Sequence, residues 1–496
     1  MLHSLFLPER IFDLKKEHIK SFILILLILN SVQMTVQLWF ESNLWPGGYD
    51  FLNSFSISKI IPFFGDNGDL TEEKMYLNAT KPRRVIVNGG GAREVYVIDS
   101  EDYNNAVEIV QEVVATMKSQ SVNVQKISYE QWKNLFKGKS LYVDYGYDFD
   151  STNLNVLFDA KSSQGKFEQF VGSGGFILTP DVVTNTCTIC FLDSDSGDVY
   201  EHKFTCDGKK LLSFVEEQTY GKHQNDTFAF EINLDTTSEQ GEEVERMVGL
   251  SPLALLNISP QPVSGTQIKT QGIFKNADEL ERFSESTLPI FGYSPSSLRK
   301  TVQNNGTIVY VENNATIKYH FDGTVEYNAV SKEKGMKKSN TTPDCNQAVN
   351  DVLKVIKELW SKAELDNDFL NLHLDSPLID NKNNKYTVKF NNIFNGVVVN
   401  YQNGGNNVVS AEVEDGYITK FVIHFTNISD TGSESQIMPV LSAIDKLYAD
   451  YGTSKMIIDD VYTCYDIKQN SGIDVGWAFK VRGTNEILVV MNDDSM

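Results

Sequence analysis

The longest predominantly apolar run lies near the start of the chain. Ile19–Phe40 spans 22 residues and carries one charge, Lys20, at its first turn. A hydrocarbon core of roughly 30 Å needs about 20 residues at about 1.5 Å per residue, so this run predicts one transmembrane helix. Arg10, Lys15, Lys16 and Lys20 precede or open it, and no Lys or Arg occurs from Glu41 through Ser58. That bias places the tail, residues 1–18, in the cytoplasm and the rest of the chain outside. The far end, Gln37-Leu-Trp-Phe-Glu41, offers no small-x-small cleavage pattern, and Trp39 and Trp45 suit the headgroup zone, so an uncleaved anchor is expected.

Three carboxamide residues lie within the run. Asn30, Gln33 and Gln37 stand at i, i+3 and i+7, which a helical repeat gathers on one face. Carboxamides in hydrocarbon gain about 0.6–2 kcal/mol from hydrogen bonds to another helix, so the stripe is a candidate partner contact. A bland alternative is an anchor apolar enough to tolerate three amides.

Beyond Phe40 the hydrophobic period alternates between two and three to four residues. Over 43–211 the pattern predicts a hairpin, Arg84–Val87 with Glu94–Asp99 about Asn88-Gly-Gly-Gly-Ala92. A helix over Tyr103–Ser119 and strands about Leu141–Tyr147, Phe176–Pro180, Cys187–Leu192 and Val199–Thr205 follow. Over 212–331 a helix at Asp278–Ser286 precedes three short strands, Thr307–Glu312, Thr316–Phe321 and Gly323–Ala329. The polar stretch 332–343 reads as a linker. Residues 344–496 repeat one plan twice: a helix (Cys345–Ala363, then Ser435–Tyr451) followed by alternating strands. The expected fold class is α+β, with helices packed on one face of antiparallel sheets in a multi-domain ectodomain.

Charge and candidate chemistry narrow the function. The stretch up to Lys20 holds four basic and three acidic residues, so the remaining 40 basic and 63 acidic residues leave the outer part a formal charge of −23. Such a surface repels nucleic acid and anionic headgroups. Cys187-Thr-Ile-Cys190 lies in a strand pattern, where i and i+3 face opposite sides. It reads as structural rather than redox or zinc chemistry, and five cysteines suggest no disulfide framework. Asp193-Ser-Asp-Ser-Gly-Asp198 misses the calcium-loop spacing and reads as a polar hairpin tip. No zincin, nucleophile-elbow or penicillin-binding motif occurs, and the seven histidines are scattered. No catalytic residue, cofactor or metal site is expected.

The run Lys15-Lys-Glu-His-Ile-Lys-Ser-Phe-Ile-Leu-Ile-Leu-Leu-Ile-Leu-Asn30, continuing to Gln37-Leu-Trp39, resembles the N-terminus of the YycH family. Asn392-Ile-Phe-Asn-Gly396, Ile458-Asp-Asp-Val461 with Tyr465, and Val475-Gly-Trp477 resemble the related YycI-type domain, so 344–496 is YycI-like. The resemblance implies a membrane-anchored accessory protein of Gram-positive-type bacteria. It would regulate the WalK (YycG) sensor histidine kinase of cell-wall homeostasis together with a YycI-like protein, without chemistry of its own. The stripe Asn30, Gln33 and Gln37 would then meet the kinase helices. The alternative is an envelope-binding or enzymatic module for which the helix is only a tether.

Overall fold

Alternation in the first strands sets the architecture. In the computed structural model, Val85 and Val87 of the Arg84–Gly89 strand point into one apolar core while Ile86 between them points into another. A strand buried on both faces must be covered on both, and that requirement organises the molecule. The structure describes residues 72–491, except 101, 121–123, 150–171, 194–195, 223–225, 235–247, 259, 261–262, 265–270, 339–344, 364–370, 381–384, 402–406, 429–433, 453–454, 469–471, 483 and 485. The segment 19–40 lies outside the described residues, and no described helix is long and apolar enough to cross a membrane.

Seven α-helices occur among the described residues: α1 (Glu72–Thr80), α2 (Tyr103–Ala115), α3 (Tyr129–Leu135), α4 (Gly208–Thr219), α5 (Ala277–Thr287), α6 (Cys345–Ala363) and α7 (Val440–Tyr451). Local chemistry starts several of them. Ser128 and Gln131 form a reciprocal capping box at α3 (Gln131 N to Ser128 Oγ 3.2 Å, Ser128 N to Gln131 Oε1 2.9 Å). Asp207 caps α4 and Asn276 caps α5 through the amides of Lys210 and Glu279. The helical spacing of Ala106, Val110 and Val113 buries one face of α2, as the sequence pattern anticipates.

The first sheet has seven antiparallel strands: β1 (Arg84–Gly89), β2 (Arg93–Val97), β3 (Val124–Ile127), β4 (Lys139–Phe149), β5 (Ser173–Asp181), β6 (Thr186–Leu192) and β7 (Val199–Thr205). Their order is β2-β1-β4-β5-β6-β7-β3. Helices α2 and α4 lie in the large core with Val85, Val87, Leu141 and Val143. Trp132 of α3, with Phe136, Phe228 and Phe230, covers the opposite face against Ile86, Tyr142 and Ile177. Helices on one face only was the expectation; here both faces are covered, because β1 and β4 are apolar at consecutive positions rather than alternate ones.

The second sheet has 14 strands among the described residues. Its main path runs from Arg299–Val302 through Ile308–Val311, Ala315–Tyr319 and Thr324–Ala329 to Tyr417–His424. It continues through Val409–Glu414, Lys385–Phe394, Val397–Tyr401, Met456–Lys468 and Gly472–Val481 to Ile487–Met491. The meander of the middle segment thus continues directly into the C-terminal strands, Thr324 facing His424 and Asn328 facing Lys420. Met336–Lys337, inside the stretch read as a linker, pairs with Tyr417–Ile418 of the same sheet. Two pairings are parallel, Val397–Tyr401 with Met456–Lys468 and Met456–Lys468 with Val248–Leu250. The strand Leu372–Asp380 is absent from the sequence expectation, since Asp375, Ser376 and Pro377 break its apolar alternation. Residues 69–496 form one compact unit.

The cysteine expectation needs correcting. Cys187 and Cys206 form a disulfide, with Cα atoms 5.8 Å apart. Thr186 pairs with Thr205 across β6 and β7, and Cys206 follows directly, so the two thiols meet only once this register exists. The opposite-face reading of Cys187 and Cys190 does hold: they lie in the two different cores. Asp193–Asp198 is a polar hairpin tip, closed by Asp193 N to Asp198 O at 2.8 Å with Gly197 at φ 70°.

Candidate functional site

The sequence-derived contact residues Asn30, Gln33 and Gln37 lie outside the described residues. Within them, functional-type side chains concentrate where the two sheets meet. Arg83 and Arg84 stand at the start of β1, Asp144 on β4, and Asp460 on the Met456–Lys468 strand. Arg84 Nε donates to Asp144 Oδ2 at 2.6 Å, and its Nη2 donates to Asp460 Oδ1 at 3.1 Å. Arg83 Nη2 donates to Asp144 Oδ2 at 2.9 Å, and its Nη1 pairs with the other oxygen of Asp460. The Arg83 guanidinium also lies over the Tyr462 ring, 5.4 Å from its centre. Two guanidinium groups therefore straddle two carboxylates, each contributed by a different sheet.

Electrostatics follow from this closure. Burial by itself would raise the Asp144 carboxyl, but Arg83 and Arg84 outweigh it and hold the group well below the usual carboxylate range. Asp144 Oδ1 also accepts the Gly146 amide at 2.8 Å. Gly146 adopts φ 72°, and a Cβ there would stand 3.0 Å from Arg83 Nε, so this turn leaves room for the cation.

Two further stations extend the seam. At a bulge in Leu372–Asp380, Asp375 accepts Lys480 Nζ at 3.1 Å on one oxygen and Asn407 Nδ2 at 3.1 Å on the other. Asn407 also donates to Asn391 Oδ1 at 2.7 Å. Burial opposes ionisation of Asp375, yet Lys480 keeps its carboxyl below the ordinary value. Nearby, the buried His373 donates Nε2–H to the Lys81 carbonyl at 3.0 Å. Burial, and then the Arg83 charge, pull its pKa down to about 3, so the ring is neutral. At the third station Asn371 Nδ2 donates to Asp99 at 2.5 Å, and the hairpin tip Asn395-Gly396 packs on Val97 and Ile98.

Each seam carboxylate is matched by a cation or an amide, and the neutral His373 spends its N–H on a carbonyl. The arginine pairs with Asp144 and Asp460, the Asn371–Asp99 bond and the His373–Lys81 bond fasten the two sheets in register, while the Asp375–Lys480 pair lies within the second sheet. The sequence carries one signal for them: charges placed inside apolar strands, as in Arg83-Arg84-Val-Ile-Val and Ile-Ile-Asp-Asp460-Val. Their pairing is illegible, because 376 positions separate Arg84 from Asp460.

No family model matches the chain, and no curated protein matches it. Among solved structures, YycH from Bacillus subtilis superposes with a TM-score of 0.55 at 13% identity, over 84% of this chain and 97% of that one. A protein from Eubacterium rectale gives a TM-score of 0.34 at 12% identity over 53% of this chain and 93% of its own. The C-terminal domain of YpeB from Bacillus megaterium gives 0.23 at 10% identity, over 44% of this chain and 93% of that one. At those scores neither bears on the fold here. The first comparison does: this chain has the fold of YycH.

Proposed function

We propose that this chain is a membrane-anchored accessory protein that regulates a WalK-type sensor histidine kinase of cell-wall homeostasis, alongside a YycI-like partner. Residues 19–40 are the anchor, the tail is cytoplasmic, and the bulk of the chain stands on the extracellular side. The protein acts by contact, with no catalysis of its own. One observation carries the reading: the ordered YycH-like and YycI-like sequence elements belong to a chain that has the YycH fold. The fastened seam is consistent with it, since a body held rigid at its centre is suited to bias a partner through surface contacts.

In this reading the stripe Asn30, Gln33 and Gln37 meets the kinase helices within the membrane. A regulator shifts a kinase only by its differential affinity for the two signalling states, and hydrogen bonds of about 0.6–2 kcal/mol suffice for severalfold shifts. The test replaces Asn30, Gln33 and Gln37 together by Leu in the full chain and follows surface display and kinase output. Normal display with lost regulation is expected. Unchanged regulation would remove the stripe as a contact, and failure of the native chain to co-purify with a histidine kinase from detergent would sink the wider reading.

A further inference from the structure

Four strands end the paths of the two large sheets, and three of them carry charge. Arg93–Val97 begins with Arg93 and Glu94, Val124–Ile127 holds Lys126, and Arg299–Val302 opens with Arg299 and Lys300. Charged side chains keep the unpaired backbone of an edge strand from recruiting another chain. The fourth strand, Ile487–Met491, reads Ile-Leu-Val-Val-Met and carries none. Its Leu488 and Val490 are buried in the large core, while Ile487, Val489 and Met491 are half-buried on the opposite face.

The ladder decides which backbone groups of this strand are engaged. The Val481 amide donates to the Glu486 carbonyl at 3.1 Å, and Phe479 faces Leu488 and Trp477 faces Val490 in the antiparallel register. Bonding groups alternate sides along an antiparallel strand, so those of Glu486, Leu488 and Val490 point toward Gly472–Val481. Ile487, Val489 and Met491 therefore turn their N–H and C=O groups outward. On that side Lys446 Nζ lies 3.5 Å from the Met491 carbonyl oxygen. The outward groups of Ile487 and Val489 have no partner among the described residues. In sequence Glu486 precedes the strand and Asp493 and Asp494 follow it, so both its ends are acidic.

We propose that Ile487–Met491 is a strand-addition site for an extended segment of a partner protein, apolar at alternate positions and basic at its ends. The docked segment takes the N–H and C=O groups of Ile487 and Val489 into a new ladder and extends the sheet by one strand. Its side chains lie beside Val489 on one face and beside Leu488 and Val490 on the other. Its basic ends meet Glu486 and the Asp493-Asp494 pair. A second copy of this chain fits less well. Two-fold antiparallel pairing about Val489 brings the Glu486 end of one chain to the Asp493-Asp494 end of the other, acid against acid. The site uses neither residues 19–40 nor their carboxamide stripe, so it stands apart from the kinase reading.

The probe is a synthetic peptide of alternating Val and Thr with lysines at both ends, added to the full chain and followed by hydrogen exchange over 486–491. Alone, the chain should exchange the Ile487 and Val489 amides fast and those of Leu488 and Val490 slowly; with peptide, all four should be protected. The same peptide N-methylated throughout cannot form the ladder and should bind at least about tenfold more weakly. Aspartates in place of the lysines should weaken binding to a similar extent. Val489→Pro removes one outward donor, leaves the inward ladder intact and should weaken binding as well. No protection of Ile487 and Val489, or equal binding by the N-methylated peptide, would overturn the site. Equal binding by the Asp-ended peptide, or protection that grows with the concentration of the chain alone, would overturn the basic partner as its occupant. The native chain and the peptides decide each of these outcomes, whether or not the proline variant folds.

Discussion

Arg84 reaches from the first strand of one sheet to Asp460 in the second, with Nη2 3.1 Å from Oδ1, while its Nε holds Asp144 on its own sheet at 2.6 Å. One side chain therefore bridges segments 376 positions apart. Because Arg83 makes the same two connections, neither sheet can shift without unpairing a buried charge.

Asp460→Ala should be among the most damaging single changes. It leaves Arg83 and Arg84 with one carboxylate between them in a buried setting, and breaking such a pair costs about 3–5 kcal/mol. Urea unfolding should show the loss. A cost under about 1 kcal/mol would mean the seam is effectively solvated.

His373 makes the fold acid-sensitive through a route of its own. Its folded pKa of about 3 lies below the ordinary 6.5, because burial and the Arg83 charge disfavour the imidazolium. Its contribution is therefore complete above about 6.5 and is lost as pH falls towards about 3, at about 1.4 kcal/mol per pH unit. Thermal melts of the native chain and His373→Gln between pH 7 and pH 4.5 isolate the effect as a difference in slope. Parallel slopes would show that His373 is not neutral in the folded state.

Loss of the Cys187–Cys206 bond, by the double change to Ser, should lower stability by about 2–4 kcal/mol, since a 19-residue separation is closed. Both sulfurs are buried, so reductant should act on the native protein only as the sheet opens. Free-thiol counts in native and denaturing buffer check this: rapid labelling of five thiols without denaturant would contradict the bond.

Gly396→Ala should loosen the docking of the 395–396 hairpin on the first sheet. The residue has φ 75°, and an added Cβ would stand 2.9 Å from the Ile98 carbonyl oxygen and 2.9 Å from Val97 Cγ2. Conformational strain and overpacking together should cost about 2–4 kcal/mol. A variant as stable as the native chain in urea would show that the hairpin tip yields freely.

Much of the local structure was legible in the chain. The helix predicted over Cys345–Ala363 has those bounds, and the hairpins about Gly89–Ala92 and Asp193–Asp198 stand where turn chemistry puts them. Apolar period, capping residues and glycines are local signals, read within a dozen residues. The Leu372–Asp380 strand was not legible, since a bulge at Asp375 interrupts the two-residue period on which strand recognition depends.

The sequence by itself determined the α+β class, the long apolar run at 19–40 with its carboxamide stripe, and the acidity of everything beyond it. Only the tertiary structure decided that the middle and C-terminal strands share one sheet, that Cys187 meets Cys206, and that Arg83 and Arg84 close on Asp144 and Asp460. Periodicity records which face of an element is buried, but not which distant element buries it. A charge inside a strand announces that it needs a partner, and only the folded register supplies one.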